Sequence, residues 1–262
     1  MHREKPPPLI AVLAAVGAAF FVLPLIGLVL RTPWADAIRS LTSADTLEAL
    51  RLSLVASLSA TALAVVLGVP LAWLYARIEF PGRSVLRALT TLPMVLPPVV
   101  GGIALLLAFG RRGLLGGWLY DTFGVTFPFT TAGVVMAETF VAMPFLVLTV
   151  EAGLRSMDRR YEDAARTLGA SRWTVFSRVT MPLIAPSLLA GAVLCWARAL
   201  GEFGATITFA GNFPGVTQTM PLAVYLLLET HPESSFVLSL VLLFVSLVVL
   251  VALRHRWLGS AS

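Results

Sequence analysis

Residues Leu9 to Leu30 carry no charged side chain, and the flanking charges are Lys5 and Arg31. Runs of this kind recur along the chain. Leu52–Ala76 lies between Arg51 and Arg77, and Ala88–Phe109 between Arg87 and Arg111. Thr131–Val150 is interrupted only by Glu138, and Leu183–Ala210 carries Arg198 and Glu202. Phe236–Leu253 is uncharged and ends at Arg254. A helix needs about 20 apolar residues to cross the hydrocarbon core, whereas a barrel strand needs only about 10, in alternation. The runs therefore predict an all-α membrane protein with six spans, near 9–30, 52–76, 88–109, 131–150, 183–210 and 236–253. Charged residues make up 13% of the chain, against roughly a quarter in soluble domains. The first run exceeds the roughly 7–15 residues of a signal-peptide core. It is expected to be a retained helix, although Ala35-Asp36-Ala37 has a small-x-small pattern.

The net charge of +5 is informative through its distribution. Cytoplasmic loops of membrane proteins collect Lys and Arg. With the N-terminus inside, the cytoplasmic segments hold Arg3 and Lys5, then Arg77, Arg83 and Arg87. They also hold Arg155, Arg159, Arg160, Arg166, Arg172 and Arg178, and finally Arg254 and Arg256. The opposite side holds only Arg31, Arg39, Arg51, Arg111 and Arg112. Both termini are thus expected in the cytoplasm, and the positive balance does not point to nucleic acid. The extramembrane pieces are too short for a core of their own, so residues 1–262 read as a single transmembrane domain.

Several chemistries are excluded by residue type. The one lysine is Lys5, in a Pro-rich lead-in, so no phosphate-binding G-x-x-x-x-G-K-[ST] loop exists. His2, His231 and His255 are scattered and Cys195 is alone, which leaves no cluster with metal-ligand spacing. Glu138 and Glu202 are the only acids within the runs, and no histidine accompanies them. An intramembrane enzyme is thereby disfavoured, and no cofactor is expected in this chain.

Prolines punctuate the third run. Pro93, Pro97 and Pro98 in "LPMVLPPVV" each remove a backbone donor, so a kink or broken helix is expected near Pro97. A packing kink and a gate or hinge are equal readings. Residues 110–130 read as a Gly-rich outer loop with interfacial Trp118 and Tyr120. "TMPLAVYLLLE" within 211–233 reads as a short outer half-helix.

The loop 151–182 is the polar exception. Within "YEDAARTLGASRW", Ala164, Ala165, Thr167 and Leu168 recur at helical spacing and form a small-residue face. Glu162, Asp163, Arg166 and Arg172 fall elsewhere, and Gly169 ends or bends the helix. Such a helix suits insertion into a groove of another protein or a position on anionic lipid.

"EDAARTLGASRWTVFSRVTMP" resembles the signature loop of ABC importer permeases, E-A-A-x3-G-x9-I-x-L-P. Asp163-Ala164-Ala165, Gly169, Val179 and Met181-Pro182 fall at the matching positions. Asp163 stands in place of Glu, Val179 of Ile and Met181 of Leu. The resemblance implies a type I-like permease fold in which this helix docks on a separate ATPase subunit. It assigns coupling to Glu162, Asp163, Ala164, Ala165, Leu168, Gly169 and Ala170. ATP and Mg2+ would then belong to the ATPase, present in two copies beside a homodimer of this chain. An extracytoplasmic binding protein would deliver the substrate, and the site of action would be a prokaryotic inner membrane.

In the fifth run, "ARALGEFGATITFAGNFPGVTQTMPLAVY" places Arg198 and Glu202 four residues apart, so they are expected to share a helix face and neutralise one another. Charges at this depth are costly unless paired or functional. Two readings stand: a structural ion pair, or a polar anion route with Thr206 and Thr208 as donors. Gly201 and Gly204 leave room for close helix approach. This stretch, with residues 92–116, is similar to the molybdate and tungstate permeases and slightly less so to sulfate permeases. The resemblance implies an oxyanion importer subunit, with molybdate ahead of tungstate and of sulfate or thiosulfate. An ATP-independent channel or intramembrane enzyme is the alternative of another class.

Overall fold

The computed structural model describes residues 7–258, so Arg3 and Lys5 lie outside it. Among these residues there are helices and no strands. The chain runs α1 (Pro8–Arg31), α2 (Trp34–Leu41), α3 (Ala44–Arg77), α4 (Arg83–Thr91) and α5 (Pro98–Phe109). It continues through α6 (Gly116–Phe123), α7 (Thr131–Ser156), α8 (Arg160–Thr167), α9 (Arg172–Val175) and α10 (Met181–Leu200). Helices α11 (Gly204–Phe209), α12 (Met220–Thr230) and α13 (Pro232–Leu258) complete it. Among the described residues, four helical stretches are long and apolar enough to cross a membrane: Pro8–Arg31, Ala44–Arg77, Thr131–Ser156 and Arg172–Leu200.

The centre is built by α3, α7 and α10, which pack on one another. Helix α3 starts at Ser43, whose Oγ accepts from the Thr46 N–H at 3.4 Å. It then presents Ala49, Ser53, Ala56, Ala60, Ala64, Gly68, Ala72 and Ala76 in steps of three or four. All are buried. Small residues at this spacing let backbones approach, which is the main attraction available between helices in lipid. A Cβ on Gly68 would sit 3.0 Å from Leu146 and 3.1 Å from Val147 on α7. One on Gly191 of α10 would meet Thr149 at 3.2 Å and Leu146 at 3.3 Å. Helix α1, by contrast, has no buried residue.

Two expected spans are not continuous helices. The run 88–109 is divided into α4, a 3-10 turn at Leu92–Met94, and α5. Pro97 is extended at φ −53° and ψ 128°, because a residue before proline is driven out of the α region. The expected break at Pro97 is therefore present, and Pro98 starts the next helix. The run 183–210 is also interrupted: α10 ends at Leu200 and α11 starts at Gly204. This corrects the expectation of one helix. Residues 110–130 include α6 in addition to loop, and "TMPLAVYLLLE" is helical as α12.

Between α9 and α10 the residues Phe176–Thr180 form a π turn. Met181 N–H bonds to the Phe176 carbonyl, five residues back. The next residue, Pro182, has no N–H and its ring collides with the carbonyl four residues before it. A widened turn at this point relieves that collision and keeps Arg172–Leu200 helical throughout.

Candidate functional site

Helix α8 has two faces of different chemistry. Arg159, Glu162, Asp163 and Arg166 follow one another at helical spacing on one side. Tyr161, Ala164, Ala165 and Leu168 lie on the opposite side. Leu168 is 89% exposed and Tyr161 59%, while Ala164 is exposed and Ala165 half-buried. An apolar patch is thus held out from the bundle on this side of α8.

The helix ends as its sequence requires. Gly169 adopts φ +83°, a left-handed conformation that costs other residues roughly 1–2 kcal/mol. Its N–H bonds to the Arg166 carbonyl at 3.0 Å, and the Ala170 N–H to the Ala165 carbonyl at 3.0 Å. These two bonds form the Schellman closure. A Cβ at Gly169 would meet nothing within 4 Å, so backbone conformation and not crowding selects glycine.

Glu162 departs from the sequence expectation. The signature resemblance groups it with the residues offered to a partner, yet it is buried. Its Oε1 accepts from Thr180 Oγ1 at 2.7 Å and from Arg77 Nη2 at 3.3 Å. The Arg77 and Glu162 side chains are 7% and 5% exposed. Glu162 therefore ties α8 to the last turn of α3 and to the π turn before α10.

Sequence reasoning missed a second network beside it. Glu151, buried at the end of α7, pairs with Arg87 of α4 at 3.0 Å and Arg155 at 2.8 Å. Arg155 also donates to the Tyr75 carbonyl at 3.2 Å, and Arg159 to the Ala76 carbonyl at 3.2 Å. Arg83 donates to the Tyr75 carbonyl as well. These carbonyls are orphans at the negative end of α3, where cations are favoured. The only sequence signal is the density of arginines in this loop, which reads as topology.

The second site lies where the two helix breaks meet. Arg198 Nη2 is 2.6 Å from Glu202 Oε2, with Glu202 1% and Arg198 28% exposed. The pair is not on one helical face as expected, because Glu202 lies beyond the end of α10. Its other oxygen accepts from the Ala205 N–H at 2.8 Å, so Glu202 joins the end of α10 to the start of α11. A Cβ on Gly204 would lie 2.7 Å from Pro98 Cβ, and one on Gly102 would lie 2.6 Å from Thr208 Cβ. Helices α5 and α11 are thus in backbone-close contact, and the interruption at Pro97–Pro98 abuts the one at Gly201–Phe203.

Gly201 plays no part in that approach; a Cβ there would meet only the Ala197 carbonyl, at 3.7 Å. Thr208 Oγ1 is committed to the Gly204 carbonyl at 2.8 Å. Thr206 is fully buried, and its hydroxyl has no partner among the described residues. Glu138 Oε2, on α7, is likewise buried without a partner among them. Pro93 is buried, whereas Pro97 and Pro98 are exposed.

Residues 64–261 match the family model for the binding-protein-dependent transport system inner membrane component. The chain belongs to that family. The match includes α8 with its glycine stop and both interrupted helices. Among curated relatives, the molybdenum transport system permease protein ModB of Mycobacterium tuberculosis is 46% identical over 245 residues, covering 93% of this chain and 92% of that protein. ModB of Escherichia coli K12 is 44% identical, covering 82% of this chain and 94% of its own length. The sulfate transport system permease protein CysT of the same organism is 36% identical, with coverages of 84% and 81%. A crystal structure of a bacterial ABC transporter that imports the acidic polysaccharide alginate superposes with a TM-score of 0.72 at 19% identity, covering 94% of this chain and 93% of that one. The fold is therefore that of ABC importer permeases.

Proposed function

We propose that this chain is the membrane permease subunit of an ATP-driven importer for molybdate, with tungstate as a related substrate. The observation that carries the substrate is the 46% identity with ModB over nearly the whole chain. The lower identity of 36% with CysT ranks sulfate behind it. The chain spans the membrane six times as one domain, with both termini in the cytoplasm. It pairs with a second copy, and each copy engages one ATPase subunit that holds ATP and Mg2+. An extracytoplasmic binding protein delivers the oxyanion, as a periplasmic protein accompanies the alginate importer of similar fold.

In this reading α8 is the coupling element. Its exposed face of Ala164, Ala165 and Leu168 enters a cleft on the ATPase, with Asp163 and Ala170 at the margin. Glu162 and Gly169 hold the helix in place. Closure of the ATPases then moves α8, and through Arg77 and Thr180 it moves α3 and α10. The abutting breaks at Pro97–Pro98 and Gly201–Phe203 form the gate region, since discontinuous helices at mid-membrane line substrate routes in transporters. Arg198 with Glu202, and Thr206 beside them, supply its polar groups, while Thr208 and Gly204 set the width. Alternation between inward- and outward-facing states follows from the ATP-dependent bias.

The reading is tested by reconstituting the permease with its ATPase and binding protein in vesicles. Molybdate-loaded binding protein is expected to stimulate ATP hydrolysis and uptake more than the sulfate-loaded form. Gly169→Pro is expected to abolish uptake while the permease remains in the membrane. Stimulation by sulfate alone would overturn the substrate assignment, and full uptake by the proline variant would overturn the coupling role.

A further inference from the structure

The inward face of α8 borders a cleft of about 620 Å³. Arg77, Arg159, Arg166 and Arg172 line it, against only two acids, Glu162 and Asp163. Glu162 is consumed by Arg77 and Thr180. Asp163 faces Arg166 at 3.6 Å, and both are more than half exposed, so that pairing is weak. Arg77 Nε lies 3.3 Å from Glu162 Oε2 but makes no hydrogen bond among the described residues. No carboxylate pairs with Arg159 or Arg172 among them. The cleft therefore has an excess of fixed positive charge with unused donors.

Beside it lies an apolar groove of about 400 Å³, lined by Pro70, Trp73, Trp173 and Phe176 together with Arg172. Trp73, Arg172 and Phe176 border both spaces. Phe176 stacks edge-on against Trp73 at 6.3 Å and tilted against Trp173 at 5.7 Å. Pro70 and Trp73 sit in the last apolar turns of α3, immediately before Arg77. The charged cleft is thus at the level where α3 leaves the hydrocarbon, and the groove continues toward the apolar side. Tryptophans favour this depth.

We propose that this composite site binds one anionic phospholipid, with its phosphate among Arg166, Arg172 and Arg77 and an acyl chain against Trp73, Trp173 and Phe176. Charge complementarity selects an anionic headgroup, and the contiguous groove selects a lipid over a soluble anion. Basic pockets between helices at the membrane edge bind such headgroups. Because the site uses the face of α8 opposite Ala164 and Leu168, the lipid and a docked protein do not compete. The bound lipid bridges α8, α3 and α9, and so stiffens the segment that Glu162 anchors. The site exists whichever oxyanion is carried and whether or not α8 couples to an ATPase.

The test uses the full-length permease purified from phosphatidylcholine vesicles with or without phosphatidylglycerol, with co-purified lipid measured by mass spectrometry. Each surface-proximal arginine contributes about a fivefold factor to anionic-lipid affinity. Arg166→Gln/Arg172→Gln is accordingly expected to lower retained phosphatidylglycerol about 25-fold, and the Lys/Lys variant to retain most of it. Trp173→Ala is expected to reduce retention of long-chain but not short-chain phosphatidylglycerol. Equal retention by the Gln/Gln variant, checked as helical and monodisperse by circular dichroism and gel filtration, would overturn the proposal. Displacement of the lipid by millimolar inorganic phosphate would overturn it in favour of a soluble-anion site.

Discussion

Glu162 and Arg77 show how much a single pair decides here. Both are nearly excluded from solvent, and removing one partner leaves a buried charge uncompensated. Glu162→Ala is expected to destabilise the protein by about 3–5 kcal/mol, read as a lower melting temperature of the purified permease. Replacing both by apolar residues, Arg77→Met with Glu162→Leu, is expected to recover much of that loss, since a buried pair and its apolar isostere are often nearly equivalent. A melting temperature unchanged in Glu162→Ala would contradict the anchoring role. The stop at Gly169 is legible because a left-handed terminus has a local residue code. The inward turn of Glu162 is not, because its partner Arg77 is 85 residues away.

Among the helices, the two breaks are unequally visible. Pro97 before Pro98 forces an extended residue locally, so the α4–α5 break can be read directly. The end of α10 cannot, since Gly201 permits helix as well as a stop. What sets that end is Glu202, which holds Arg198 behind it and the Ala205 N–H ahead. The close contact of α5 with α11 gives two neighbouring glycines opposite predictions. Gly204→Ala places a methyl 2.7 Å from rigid Pro98. It is expected to cost about 1–3 kcal/mol through overpacking and to reduce transport. Gly201→Ala meets nothing nearer than 3.7 Å and is expected to change stability by no more than about 0.5 kcal/mol. Uptake and thermal melting of the two variants check this directly; equal behaviour would mean that the breaks do not pack as described.

For the molecule as a whole, helix α1 is the outlier. Apart from half-buried Leu28, its side chains are exposed, including Phe20, Phe21 and Leu30 at 73%, 74% and 77%. The proposed second copy is expected to cover part of that surface, with lipid over the remainder. Single cysteines introduced along the exposed positions of α1 are expected to cross-link permease to permease in membranes, with a product of twice the mass. Its absence at every position, with an intact complex otherwise active, would remove α1 from the interface.

The order of residues alone carries the membrane class, the apolar runs, the signature loop and the two local stops at Pro97 and Gly169. Each rests on composition, spacing or a backbone rule that acts within a few residues. The packed molecule was needed to show that Glu162 turns inward, that Arg87, Glu151 and Arg155 bind the end of α7 to α4, and that Gly204 meets Pro98. Those outcomes depend on which distant charges and methyl-free surfaces meet once α3, α7 and α10 pack, and no local rule encodes such a meeting.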